Sequence, residues 1–241
     1  MKSNTNSEQR RDFLKTSALL AGGTLIGSLP FVGAYAGVDD AIKVAVIGCG
    51  GRGTGAAFNA LSTDANIKIV ALADTFRDRL DEAYTKLAER HQAKIDIPEE
   101  RKFVGFDAYK EAIPLADVVI LATPPGFRPI HFEEAVKQDK HIFMEKPVAV
   151  DVPGVRRVLA AAEEAKRRKL NVVVGLQRHY QANYREGIKR IQDGVLGEIV
   201  SGQVYWNSGG VWVHPRKPGQ TEMEYQMRNW YYFNWLCGDH I

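Results

Sequence analysis

The run Val44-Ala45-Val46-Ile47-Gly48-Cys49-Gly50-Gly51-Arg52-Gly53 passes from four apolar residues straight into a glycine cluster. Four consecutive aliphatic side chains read as a strand buried on both faces. Gly48, Gly50 and Gly53 then have the G-x-G-x-x-G spacing of a turn that opens a helix. The first glycine permits the tight turn, the second lets backbone approach a diphosphate, and the third lets the helix pack close to the strand. Gly51 and Arg52 would open that helix, whose positive N-terminal end favours phosphate. Cys49 reads as a small residue fitting a crowded turn. Asp74 stands 26 positions beyond Gly48, at the end of the apolar run 67–73. A carboxylate there accepts hydrogen bonds from an adenosine ribose. The plain alternative is an ordinary turn followed by a surface aspartate, and the spacing favours dinucleotide binding.

Working outward, apolar runs at 43–47, 67–73, 117–122, 141–144 and 171–175 alternate with helical patterns at 54–61, 77–91, 128–138 and 152–168. Leu80, Ala83, Tyr84 and Leu87 place an apolar stripe on the second helix. This alternation predicts an α/β fold of Rossmann type, a parallel sheet with helices on both faces, over residues 41–176. The polar segment 93–101, with Pro98, reads as an inserted loop. After Gly175 the character changes. A helix is expected over 183–193, then an alternating strand over 198–208 that would begin a second α+β domain with an open antiparallel sheet, at 177–241. One strand cannot bury its own face, so the chain is expected to continue beyond Ile241.

Ahead of the first strand, Arg10-Arg11-Asp12-Phe13-Leu14-Lys15 precedes a weakly apolar stretch over 18–32, and Ala34-Tyr35-Ala36 follows. This reads as a twin-arginine signal peptide at residues 1–36, cleaved before Gly37, for export to the periplasm or an equivalent compartment. An uncleaved anchor is the alternative. The 241 residues carry a formal charge of +3, to which Lys2, Arg10, Arg11 and Lys15 contribute against Glu8 and Asp12. The remainder is near neutral, with no basic stripe for a nucleic-acid partner. Two cysteines make a disulfide framework implausible. The six histidines show no metal-ligand spacing, so no metal is expected.

Met144-Glu145-Lys146-Pro147 ends the fourth apolar run. Ligands of open α/β sheets bind outside the carboxyl ends of the strands. Lys146 would therefore stand where an ammonium can stabilise developing alkoxide charge as hydride leaves a carbinol. In isolation, such a lysine is an ordinary surface residue before a proline turn. It is preceded, however, by Ala122-Thr123-Pro124-Pro125 and His131, and followed by Gly175-Leu176-Gln177-Arg178. In that order the chain resembles the glucose–fructose oxidoreductase/inositol dehydrogenase (Gfo/Idh/MocA) family from about Lys43 onward. The resemblance implies a dinucleotide-binding Rossmann domain, a C-terminal α/β domain over a sugar or polyol, and assembly as a homo-oligomer. By position Lys146 is the catalytic lysine, with Glu145 and Pro147 shaping its turn and Glu145 also counted among the cofactor-binding residues. Thr123, Pro124 and His131 lie on the nicotinamide side, where His131 is equally open to a structural role.

The family's general base is often a His four residues after an Asp. Here Asp239 and His240 are adjacent and cannot share a helix face in that way. Either could touch substrate, or the base lies further along. Arg178 and His179 would face the substrate. Tyr205, Trp206, Trp212, Trp230 and Tyr231 could stack on sugar rings, or serve as core or interface. Asp74 favours NAD over NADP, with Arg77 as the cation that could relax that preference. The activity expected is NAD(P)-dependent hydride transfer on a carbohydrate. Two alternatives stay open: redox-neutral glycoside hydrolysis by oxidation, elimination, hydration and reduction, or a non-catalytic sugar-binding protein.

Overall fold

The structure is a computed structural model that describes residues 41–239. The twin-arginine leader expected over residues 1–36 and His240 lie outside the described residues. Strands β1 (Ile42–Ile47), β2 (Ile67–Asp74), β3 (Lys102–Val104), β4 (Val118–Leu121), β5 (His141–Met144) and β6 (Val172–Val174) form one sheet, ordered β3-β2-β1-β4-β5-β6. Every neighbouring pair is parallel. Chain order therefore reverses between β1 and β4, and a crevice opens where the strands end at that reversal.

Side-chain alternation along β1 supplies both cores. Ala45 and Ile47 face one cluster with Phe132, Val136, Val158 and Ala161. Val44 and Val46 face the other, with Leu61, Leu80 and Leu87. The first cluster is covered by α3 (Ala108–Ala112), α4 (Arg128–Lys137) and α5 (Val152–Arg167), the second by α1 (Gly51–Leu61) and α2 (Arg77–His91). Burying each large aliphatic side chain contributes roughly 2 kcal/mol, so this double facing is what holds the sheet. The predicted stripe on α2 is the buried one: Leu80, Ala83 and Leu87. Helix α5 is started by Asp151, whose carboxylate accepts the Gly154 N–H at 2.7 Å. Pro153 in its first turn costs no hydrogen bond there.

The structure departs from expectation in three places. Strand β3 and helix α3 lie in sequence too short to show a period; β3 is a half-exposed edge strand. The segment 93–101 is not a free loop. Ile95 bridges to Ile69, Ile97 is buried in the second core, and short 3-10 turns span Gln92–Lys94 and Glu99–Arg101. The strand expected over 198–208 does not form. Val200, Val204 and Trp206 are exposed, and among the described residues no strand lies beside them to complete a ladder. Alternation specifies a strand only where a partner supplies its hydrogen bonds. After β6 come α6 (Gln177–Tyr180), α7 (Ala182–Gln192), α8 (Glu222–Arg228) and α9 (Asn234–Cys237). No helix among the described residues is long and apolar enough to cross a membrane.

Candidate dinucleotide site

The glycine turn is built as its spacing requires. Gly48 has φ +95°, and a Cβ there would meet the Thr123 backbone nitrogen at 2.6 Å. A Cβ on Gly53 would lie 1.8 Å from the Gly48 carbonyl oxygen, so the helix can sit this close only with glycine. Gly50 differs from both, because nothing stands within 4 Å of its would-be Cβ. That open space adjoins the start of α1, where no side chain caps the helix. Unsatisfied N–H groups facing an open cleft suit a diphosphate.

A cleft of about 540 Å³ lies at this point of the sheet. Gly48, Gly50, Gly51, Arg52, Asp74, Thr123, Pro124 and His131 all line it. Asp74 Oδ2 accepts the Cys49 N–H at 2.7 Å and Oδ1 the Phe76 N–H at 2.9 Å. Its carboxylate thus fastens the glycine loop to the end of β2 and keeps lone pairs for a ribose. Burial pushes the Asp74 carboxyl above its ordinary range, against the two N–H bonds and the charge of Arg79. The buried Cys49 thiol is pushed well up as well, first by burial and then by Asp74.

On the β4 side, Thr123 Oγ1 lies 3.1 Å from His131 Nδ1. The His131 ring packs against Tyr109, with centroids 4.3 Å apart. Burial and the Arg128 charge push its pKa down to about 3, so it is neutral at neutral pH. Arg128 is itself buried, and its guanidinium donates to the Leu121 carbonyl and, at 2.6 Å, to the Thr123 carbonyl. Its pKa drops by burial to about 10, which still leaves it cationic. This arginine, absent from the sequence reading, braces the β4 turn.

Other expected residues lie elsewhere. Lys146 is exposed and does not line the cleft. It does leave the sheet at the same end, since Met144 pairs with Leu121 and Glu145 N donates to the Leu121 carbonyl at 2.9 Å. Glu145 is buried and reaches the cleft through Arg52, at 2.7 Å. Arg178 and His179 are exposed outside the cleft, with the Arg178 guanidinium over the Tyr184 and Trp206 rings. Asp239 is exposed beyond the one-turn helix α9 and does not line the cleft. Arg77, weighed as a cation near Asp74, does not line the cleft. It pairs with Asp81 and Glu99, while Arg79, two residues on, lines the cleft with Asp74. A two-residue offset, about 200° around the helix, decides which arginine faces inward, and that register is set by the buried stripe of α2.

The remaining wall comes from far along the chain: Trp212, His214, Met227, Arg228 and Trp230. Trp212 and Trp230, weighed as sugar-stacking residues, pack against each other at 5.8 Å and line the cleft with the glycine loop. Tyr205 and Trp206 stay exposed.

A family profile described as an oxidoreductase family with an NAD-binding Rossmann fold matches residues 42–174, more than half of the chain. The chain belongs to that family, Gfo/Idh/MocA. Among curated relatives, a glycosyl hydrolase family 109 protein of Shewanella pealeana is 24% identical over a 240-residue alignment that covers 92% of this chain and 49% of that protein. The chain spans about half the length of the curated relatives it matches. Among solved structures, scyllo-inositol dehydrogenase of Lactobacillus casei, with NAD(H) and scyllo-inositol bound, superposes with a TM-score of 0.51 at 20% identity. It covers 66% of this chain and 43% of its own, and at that identity shows the fold alone. A 3-ketoreductase of Actinomadura kijaniata, solved with NADP and TDP-benzene, gives 0.50 at 25%, over 66% of this chain and 45% of its own. The Rossmann domain of this Gfo/Idh/MocA member is of an NAD(P)-binding kind.

Proposed function

We propose that the protein holds NAD in this cleft and moves hydride to or from a carbinol carbon of a sugar or polyol. The observation that carries the reading is the open space at Gly50, beside the uncapped start of α1 and the Asp74 carboxylate. Gly50, Gly51 and Arg52 would hold the diphosphate, Asp74 the ribose, and Thr123, Pro124 and His131 the nicotinamide side. A bound nicotinamide dinucleotide supplies a hydride acceptor or donor. Lys146, at the same sheet end, would polarise the substrate hydroxyl and hold its proton. NADP is the alternative cofactor, because Arg79 stands where a 2′-phosphate could be met.

A second reading is favoured by the relatives named glycosyl hydrolase family 109: hydride is removed and later returned to the same sugar, with net hydrolysis of a glycoside. Export of a folded protein, read from Arg10 and Arg11, would suit a cofactor that never needs replacing. N-terminal sequencing of exported material beginning at Met1 would sink that part. Incubating the full-length protein with aryl glycosides, without added cofactor, separates the two readings. Release of the aryl group with no net NADH supports hydrolysis, and stoichiometric NADH supports a dehydrogenase. Sugar binding with neither outcome would leave a binding protein. Lys146→Ala should abolish turnover with dinucleotide affinity nearly intact. Turnover above about a tenth of wild type, a loss below ~1.4 kcal/mol, would remove the lysine from the chemistry.

A further inference from the structure

Glu145 is a buried carboxylate in a fitted place. Its oxygens lie against Gly175, where a Cβ would come within 2.6 Å of Oε1 and 3.0 Å of Oε2. Its backbone N–H is fixed on the Leu121 carbonyl. Oε1 accepts from Arg52 Nε at 2.7 Å, across 93 residues of sequence. The two partners are unequal: the Glu145 side chain is 9% exposed and the Arg52 side chain 50%. The nearby buried Arg128 donates to two carbonyl groups and meets Glu145 through its charge, while Arg52 makes the hydrogen bond to the carboxylate from the cleft side.

Arg52 sits in the first turn of α1 and lines the cleft beside Gly50 and Gly51. A guanidinium has five N–H donors in a rigid fork, and only the Nε donor is spent on Glu145. A fork fixed at one edge loses little further freedom when its other edge meets a diphosphate. A lysine at this position could supply charge but could not bond both sides in one geometry.

We propose that Glu145 is a positioning residue, which aims the Arg52 guanidinium at the diphosphate of the bound dinucleotide. This rests on the reading of the cleft as a dinucleotide site. The buried glutamate next to Lys146 thereby acts on cofactor binding, while the lysine acts on substrate.

The test is a double-mutant cycle on the full-length protein, read as dissociation constants for NAD and for ADP-ribose, which keeps the diphosphate and lacks the nicotinamide. Glu145→Gln and Arg52→Ala should each weaken both ligands about tenfold, and the double variant by no more than about threefold further. Losses that multiply in the double variant, or a cycle absent with ADP-ribose, would overturn the proposal. Arg52→Lys leaves Glu145 in place and should bind about as weakly as Arg52→Ala. Recovery of wild-type affinity in that variant would also overturn it, since charge alone would then suffice. A wild type that binds neither ligand removes the reading of the cleft itself. A binding wild type with unaffected variants removes only the role of Glu145.

Discussion

His131 lies 4% exposed against the Tyr109 ring, three residues after the buried Arg128 on the same helix. Its pKa is pushed down to about 3 by burial and then by that guanidinium. An unfolded histidine titrates near pH 6.5, so between about pH 6.5 and 3 the unfolded chain binds a proton that the folded chain refuses. Through this residue, stability is level above about pH 6.5 and falls as the pH drops below it. Going from about pH 7.5 to 4.5 should remove roughly 2–3 kcal/mol through His131 alone. Urea unfolding of wild type and His131→Phe at both values checks this: the variant should lose less, and equal losses would refute it. The neutral ring can also hold one tautomer toward Thr123, which is useful beside a nicotinamide and also ordinary in a core.

At the scale of the element, the start of α1 does two separable jobs. Gly53 lets the helix lie on the β1 turn, and Gly50 leaves the cleft open beside it. Gly53→Ala forces the backbone apart and should cost about 3 kcal/mol, as overpacking of a tight contact does. Gly50 has φ −69° and ψ −177°, which alanine adopts without strain. Gly50→Ala should therefore change stability by less than about 1 kcal/mol. Its methyl group would nonetheless stand where a phosphate approaches, so dinucleotide affinity should fall at least about tenfold. Denaturant melts paired with ligand titration separate the two effects. Unchanged affinity in a stable Gly50→Ala would place the diphosphate elsewhere.

Over the whole molecule, the cleft is closed by chain that follows the sheet. Arg228 of α8 bonds Asp78 in the first turn of α2 at 2.9 and 3.3 Å, 150 residues away, and lies over the Phe76 ring at 4.0 Å. Asn229 is buried and exchanges hydrogen bonds with the His214 backbone, so Trp212, His214 and Arg228 form one braced wall. The Arg228 side chain is 20% exposed and that of Asp78 62%, so one end of the pair is shielded by the wall and the other is open to solvent. Arg228→Ala should speed dinucleotide dissociation about tenfold while leaving the Rossmann core's unfolding midpoint nearly unchanged. Stopped-flow displacement measures the rate, and an unaltered rate would show that the wall does not retain the ligand.

The parallel sheet and its glycine loop were legible in the sequence because they rest on local signals. Val and Ile runs fix strands buried on both faces, and Gly48 and Gly53 are demanded by backbone geometry within one turn, while Gly50 leaves open space beside them. The stripe Leu80, Ala83 and Leu87 fixed the register of α2, yet the choice between Arg77 and Arg79 at the ribose end needed that register in space. Tertiary structure alone decided the rest. Nothing near Glu145 in sequence announces Arg52 or Gly175, and nothing near Asp78 announces Arg228, because these contacts join residues up to 150 positions apart. The alternation over 198–208 is a strand signal that finds no ladder among the described residues. A period in sequence states which face a segment could bury. Whether a neighbour is there to bury it is a property of the folded chain.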